Sequence, residues 1–137
     1  MSTARAAAAH LRLAEGLIKT AEISAAASEY EIRNAFSRSY YALFHACCGY
    51  LLAQNEPNAN EVVKNHGRLH SKMYKVGKAF GDDLTRCYEL RRKADYDADW
   101  SVPPYFSCVE RLKRDRGNLY YVRRTAKNLI AEARAGV

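Results

Sequence analysis

The sequence predicts an all-α fold, an antiparallel up-and-down bundle of about five helices, on three observations. Residues 28–53 read as one helix that is apolar on almost every side. Only three prolines, Pro57, Pro103 and Pro104, interrupt 137 residues rich in alanine, which leaves long intervals free for helix. Within those intervals apolar side chains recur at the three- and four-residue spacing of a helix face. A chain of this length is expected to be a single domain, 1–137, able to bury a core without disulfides or metal.

The first helix is expected over residues 3–23, with Leu11, Ala14, Ile18 and Ala21 on one stripe and Leu13 and Leu17 beside it. SAAASE (24–29) is the break. Ser28 as N-cap with Glu31 three residues on has the form of a capping box and starts the central helix. On that helix Ile32, Phe36, Tyr40, Leu43, Cys47 and Leu51 form one stripe, and Tyr41, Phe44, Cys48 and Leu52 a second. Two ionisable groups, Arg38 and His45, stand seven residues apart. That is two turns, so both leave the same face about 10 Å apart along the axis. An Arg in such a pattern requires a carboxylate partner, a solvent cleft or an anionic ligand.

QNEPNAN, with Pro57 and three asparagines, ends the central helix near Gln54. A less regular stretch follows, 61–84, with a polar turn at Asn65–Gly67 and then Leu69, Met73 and Val76 at helical spacing. His66 and His70 are four apart, as two helical metal ligands would be, but Gly67 weakens the helix between them and no acidic third ligand is near. No metal and no other cofactor is expected. Here Lys64, Arg68 and Lys72 make a basic rim suited to phosphate or merely to solvent. The next helix, 82–95, is expected to open on Asp82 and Asp83, with Leu84, Cys87, Tyr88 and Arg91 on one face and Arg91–Asp95 as a local pair. After Pro103 and Pro104 a last helix, 104–134, turns Phe106, Val109, Leu112, Leu119, Val122, Ala126, Leu129 and Ala133 inward. Its outer face is basic, with Tyr120 and Tyr121 interleaved, and suits either a phosphate backbone or solubility.

The net charge of +7, from 22 Lys and Arg against 15 Asp and Glu, gives the chain an affinity for polyanions without identifying one. Cys47, Cys48, Cys87 and Cys108 show no CxxC spacing, and Cys47 and Cys48 point about 100° apart on a helix, so buried thiols in a reducing cytoplasm are expected. Neither a signal peptide nor a membrane span is expected.

The segments SRSYYALFHACCGYLL (37–52), KNHGRLHSKM (64–73) and LRRKADYDADW (90–100) together resemble the small stand-alone domains of the HEPN superfamily, across most of the chain. The resemblance implies an all-α bundle that usually forms a homodimer. It also implies one of two activities: a metal-independent ribonuclease of toxin–antitoxin or defence type, or a non-catalytic partner binding RNA, an antitoxin or a separately encoded nucleotidyltransferase. The superfamily's signature, an Arg and then a His after four to six residues, is met by Arg38 and His45. At the usual place of that signature stands RRKADY, with Asp95 where a His is expected. Either the working pair lies on the central helix or this branch has lost the chemistry. The candidate catalytic groups are therefore Arg38 as phosphate grip, His45 as base and Asp95 as a carboxylate that orients His45 or pairs with Arg38 or Arg91, with Tyr41, His66, Arg91 and Tyr96 around a phosphate.

Overall fold

The computed structural model describes residues 3–20, 29–56, 58–96 and 124–135. Among these, five helices run in order: α1 Thr3–Thr20, α2 Glu29–Ala53, α3 Ala59–Val62, α4 His66–Val76 and α5 Lys78–Tyr96. Residues 124–135 are also helical and are called α6. No strand occurs among the described residues. The architecture is the expected all-α bundle.

The two-sided apolar pattern of α2 makes it the hub, in contact with α1, α3, α4 and α5. Phe36, Tyr40, Leu43, Cys47, Cys48 and Leu51 are fully buried, and Phe44 and Leu52 nearly so. On α1 the stripe Ala7, Leu11, Ala14 and Ile18 packs inward, whereas Leu13 is 49% exposed, one position off the buried face. At Gly49 α1 and α2 pack closely, since a Cβ there would lie 2.5 Å from Leu11 Cδ2. Ala126, Leu129 and Ala133 of α6 are buried as expected, and α6 is tied to α5 by Thr125 Oγ1 donating to Asp83 at 3.1 Å and to α1 by an Arg134–Glu15 ion pair. The expected inward residues Phe106 to Val122, the tyrosines 120 and 121, Cys108 and the Ser28 cap lie outside the described residues.

Asparagines shape the α2–α4 connection. Asn55 and Asn58 take φ of 53° and 61°, the left-handed region that Asn tolerates better than other non-glycine residues. The side chain of Asn65 then caps α4, accepting from the Arg68 N–H at 3.0 Å. One boundary differs from expectation. Helix α5 begins at Lys78 rather than Asp82, because the break is made by extended Gly77, and the two acids fall in the second turn. Gly81 is thereby helical and buried against α4, where an added Cβ would sit 2.6 Å from Tyr74 Cα. Further along the pair, His66 and His70 of α4 meet Tyr88 of α5 over Tyr40 of α2.

Candidate functional site

Tyr40 is the centre of the polar chemistry in this bundle. It sits in the buried stripe of α2 with no solvent exposure, and a buried phenol requires partners. They come from α4: His66 Nδ1 lies 2.5 Å from the Tyr40 hydroxyl and His70 Nε2 lies 3.3 Å from it. The spacing of four that suggested a metal pair places both imidazoles on one face of α4, and that face meets a phenol. Burial pushes the Tyr40 pKa up, so the hydroxyl keeps its proton. The pKa values of His66 and His70 are both lowered by burial, with Arg91 adding to the effect on His66, and His66 adding to that on His70. Both rings are therefore neutral near pH 7.

The cation of the site is Arg91 of α5, whose side chain is 10% exposed. Its guanidinium carbon stands 5.5 Å from the ring centroids of Tyr40 and Tyr41, 5.3 Å from Tyr88 and 5.9 Å from Tyr96. Four tyrosine rings thus surround one guanidinium, each contributing cation–π attraction in a poorly hydrated setting. Arg91 Nη1 also meets Asp95 Oδ2 at 3.4 Å, and Ser37 Oγ donates to the same oxygen at 3.3 Å. Arg91 Nε is buried without a hydrogen-bond partner. The local Arg91–Asp95 pair expected on α5 is partly buried, because the Leu84, Cys87, Arg91 face of that helix packs onto α2. At the end of α5, Arg33 of α2 donates to the carbonyls of Ala94 at 2.9 Å and Lys93 at 3.4 Å, which holds that helix end against the hub.

Arg38 and His45 do share a face of α2, and that face meets α1. They do not share a partner. Arg38 is exposed and donates from Nη1 to the Thr20 carbonyl at the end of α1 at 3.1 Å. His45 is half-buried, stacked on His10 with ring centroids 5.1 Å apart and the two Nδ1 atoms 2.9 Å apart. Thr20 and His10 are ten residues apart, about 15 Å along α1, so the two contacts are widely separated. Of the carboxylate, solvent cleft and anionic ligand that the sequence leaves open for Arg38, solvent is what reaches it. For His45, the candidate base, the surroundings act against protonation. Burial, and then His10 and His66, lower its pKa to about 4.

One comparison bears on kinship. The chain is 36% identical over 92 residues to a protein of Methanocaldococcus jannaschii named "Putative toxin MJ0605", an alignment covering 62% of this chain and 69% of that one. The chain belongs to that protein's family. No protein-family model matches it, and no solved structure does.

Of the residues singled out from the sequence, this family member brings Tyr41, His66, Arg91, Asp95 and Tyr96 together around Tyr40, and leaves Arg38 and His45 on the α1 side. Sequence reasoning passed over Tyr40, Tyr88 and His10 as site residues, and gave His70 only a weak metal role. A tyrosine in the middle of a fully apolar stripe was the available signal for Tyr40, since its hydroxyl had to be satisfied by something brought from elsewhere. Among the described residues no three His, Cys, Asp or Glu are grouped to hold a metal ion. Cys47, Cys48 and Cys87 are free and buried, and burial pushes the Cys48 thiol up to about 12 and the other two also upward. They are inert packing groups at neutral pH. No helix among the described residues is long and apolar enough to cross a membrane.

Proposed function

We propose that this chain is a toxin of HEPN type that cleaves RNA without a metal, with its working groups at the junction of α2, α4 and α5. The observation that carries the reading is the placement of the permanent cation Arg91 beside two neutral, half-buried imidazoles, His66 and His70. Metal-independent cleavage needs such a set: a base for the ribose 2′-hydroxyl, a proton donor for the leaving oxygen, and a cation for the charge on phosphorus. In this reading Arg91 neutralises phosphate, His66 and His70 exchange protons with the ribose and the leaving group, and Asp95 orients Arg91. Tyr41 and the 77% exposed Tyr96 offer rings to bases, and Arg38 is a peripheral phosphate contact. The toxin name of the 36% identical relative supports the same direction and implies an antitoxin partner.

The test is cleavage of single-stranded RNA by the purified protein in EDTA. Products ending in a 2′,3′-cyclic phosphate are expected, with His66→Ala and His70→Ala each slowing cleavage about 100-fold. Absence of cleavage, or His66→Ala and His70→Ala variants as fast as the parent, overturns the reading. If His45→Ala is slowed as much as His66→Ala, the chemistry returns to the α1–α2 seam.

A second reading is favoured by Asp95, which pairs with Arg91 from within the chain and is itself held by the Ser37 hydroxyl. Here the cluster is a scaffold and the protein is a non-catalytic homodimer that binds RNA, an antitoxin or a nucleotidyltransferase. It predicts RNA or partner binding without cleavage, and a loss of fold rather than of rate when Arg91 is removed.

A further inference from the structure

The Tyr40 hydroxyl touches two imidazoles through differently named nitrogens, Nδ1 of His66 and Nε2 of His70. It has one proton to give. If both facing nitrogens offered lone pairs, one would meet the phenol oxygen's lone pairs in a site where Tyr40 has no access to water. If both carried protons, the phenol proton would be buried without an acceptor. The satisfied arrangements are those in which Tyr40 donates to one ring and accepts from the other. Because the facing nitrogens differ in name, the two histidines must then be the same tautomer, both Nε2–H or both Nδ1–H.

We infer that Tyr40 is a positioning residue that locks His66 and His70 into matched tautomers, so that one presents a base and the other a proton donor on the sides turned away from it. The 2.5 Å contact to His66 Nδ1 against 3.3 Å to His70 Nε2 assigns the resting state. Tyr40 donates to His66, and both rings are Nε2–H. The outward atoms are then His66 Nε2–H, a donor, and His70 Nδ1, a base.

Resting on the nuclease reading, the consequence for catalysis is a proton path that balances. His70 Nδ1 takes the 2′-hydroxyl proton as O2′ bonds to phosphorus, and the phosphorus–O5′ bond breaks as His66 Nε2–H protonates O5′. His70 Nε2–H passes to the Tyr40 oxygen, and the phenol proton passes to His66 Nδ1. Both imidazoles end neutral in the other tautomer, each with its outward role reversed. The charged and titratable groups facing this relay are Arg91, Asp95, Tyr88 and Cys87 of α5 and Tyr41 and His45 of α2, with Arg91 the permanent charge.

The experiment is ring-nitrogen NMR of histidine-labelled full chain at pH 8, parent against Tyr40→Phe, with cleavage of RNA measured in parallel. In the parent both His66 and His70 are expected at the limiting shifts of Nε2–H. In Tyr40→Phe both move toward the averaged values of a tautomer mixture, and cleavage slows at least 10-fold. A parent in which one ring is Nε2–H and the other Nδ1–H overturns the inference, as does a Tyr40→Phe spectrum identical to the parent's. Should Tyr40→Phe not fold, the parent spectrum alone still decides whether the tautomers match. The two proposals fail separately: matched tautomers without RNA cleavage overturn the nuclease, and cleavage with unmatched tautomers overturns the coupling.

Discussion

Two histidine pairs in this molecule, His10–His45 and His66–His70, contain all four of its histidines and sit in different company. The first pair closes the seam between α1 and α2 by direct nitrogen-to-nitrogen contact. The second is held apart and joined through a phenol, with a guanidinium fixed beside it. Both are neutral near pH 7, but only the second stands beside a permanent cation with one hydroxyl shared between two rings. The lesson is that a histidine's chemistry here is set by what the opposing helix supplies: α1 gives another imidazole, and α2 gives a proton relay.

Removing Arg91 should produce the largest effect. Arg91→Ala leaves four tyrosine rings without the ion they surround and a partly buried Asp95 carboxylate without its partner. About 3 kcal/mol of stability is expected to be lost, at the low end of what breaking a buried pair costs because Asp95 is 29% exposed. Arg91→Lys should recover only part, since an ammonium lacks the planar face that stacks. Chemical denaturation of the three proteins measures this. Equal stability of parent and Arg91→Ala would make the cluster an open ligand site with no structural duty, and would sharpen the contrast with the α1–α2 seam.

The helix pattern itself was readable from the chain because apolar periodicity is local. The stripes of α2, the Leu69 and Met73 face of α4 and the Leu84, Cys87, Arg91 face of α5 are where spacing put them. Spacing put Arg91 on the packed face, but what it meets there was not readable, because i, i+4 pairing with Asp95 looks the same beside solvent and beside tyrosines from another helix. The start of α5 was misplaced for a related reason: Asp82 and Asp83 resemble helix-opening acids, while the real boundary is made by the backbone of Gly77 and the approach of Tyr74 to Gly81. His66 and His70 were visible as a pair, but their partner lay 26 and 30 residues away in sequence, and a long-range phenol cannot be inferred from spacing.

Acid should also open the α1–α2 seam. His45 has a folded pKa of about 4 against an ordinary 6.5, so between those values the unfolded chain binds more protons than the folded one. Its stabilising contribution is complete above pH 6.5 and is lost as the pH falls toward 4. His10, His66 and His70 are lowered too and act with the same sign. A melting temperature that falls from pH 6.5 to pH 4 is expected, with a shallower fall in His45→Gln. A melting temperature independent of pH over that interval would mean that the His10–His45 contact opens freely and the seam is not closed by neutral imidazoles.

The smallest effect belongs to Arg38, and it separates the two regions most cleanly. Within a helix as apolar as α2, an arginine seven residues from a histidine invites the expectation of a buried ion whose loss unfolds the protein. Arg38 is instead exposed, with its Nη1 on the Thr20 carbonyl, where water competes for both groups. A cation at the C-terminal end of α1 also meets the negative end of that helix, an interaction that is weak at the surface and screened by salt. Arg38→Ala is therefore expected to cost less than about 1 kcal/mol, and less again in 0.5 M salt, by the same denaturation measurement. If Arg38→Ala instead matched Arg91→Ala, the α1 end of α2 would hold a second buried charge, and the division between a polar junction at α4–α5 and an ordinary seam at α1 would not stand.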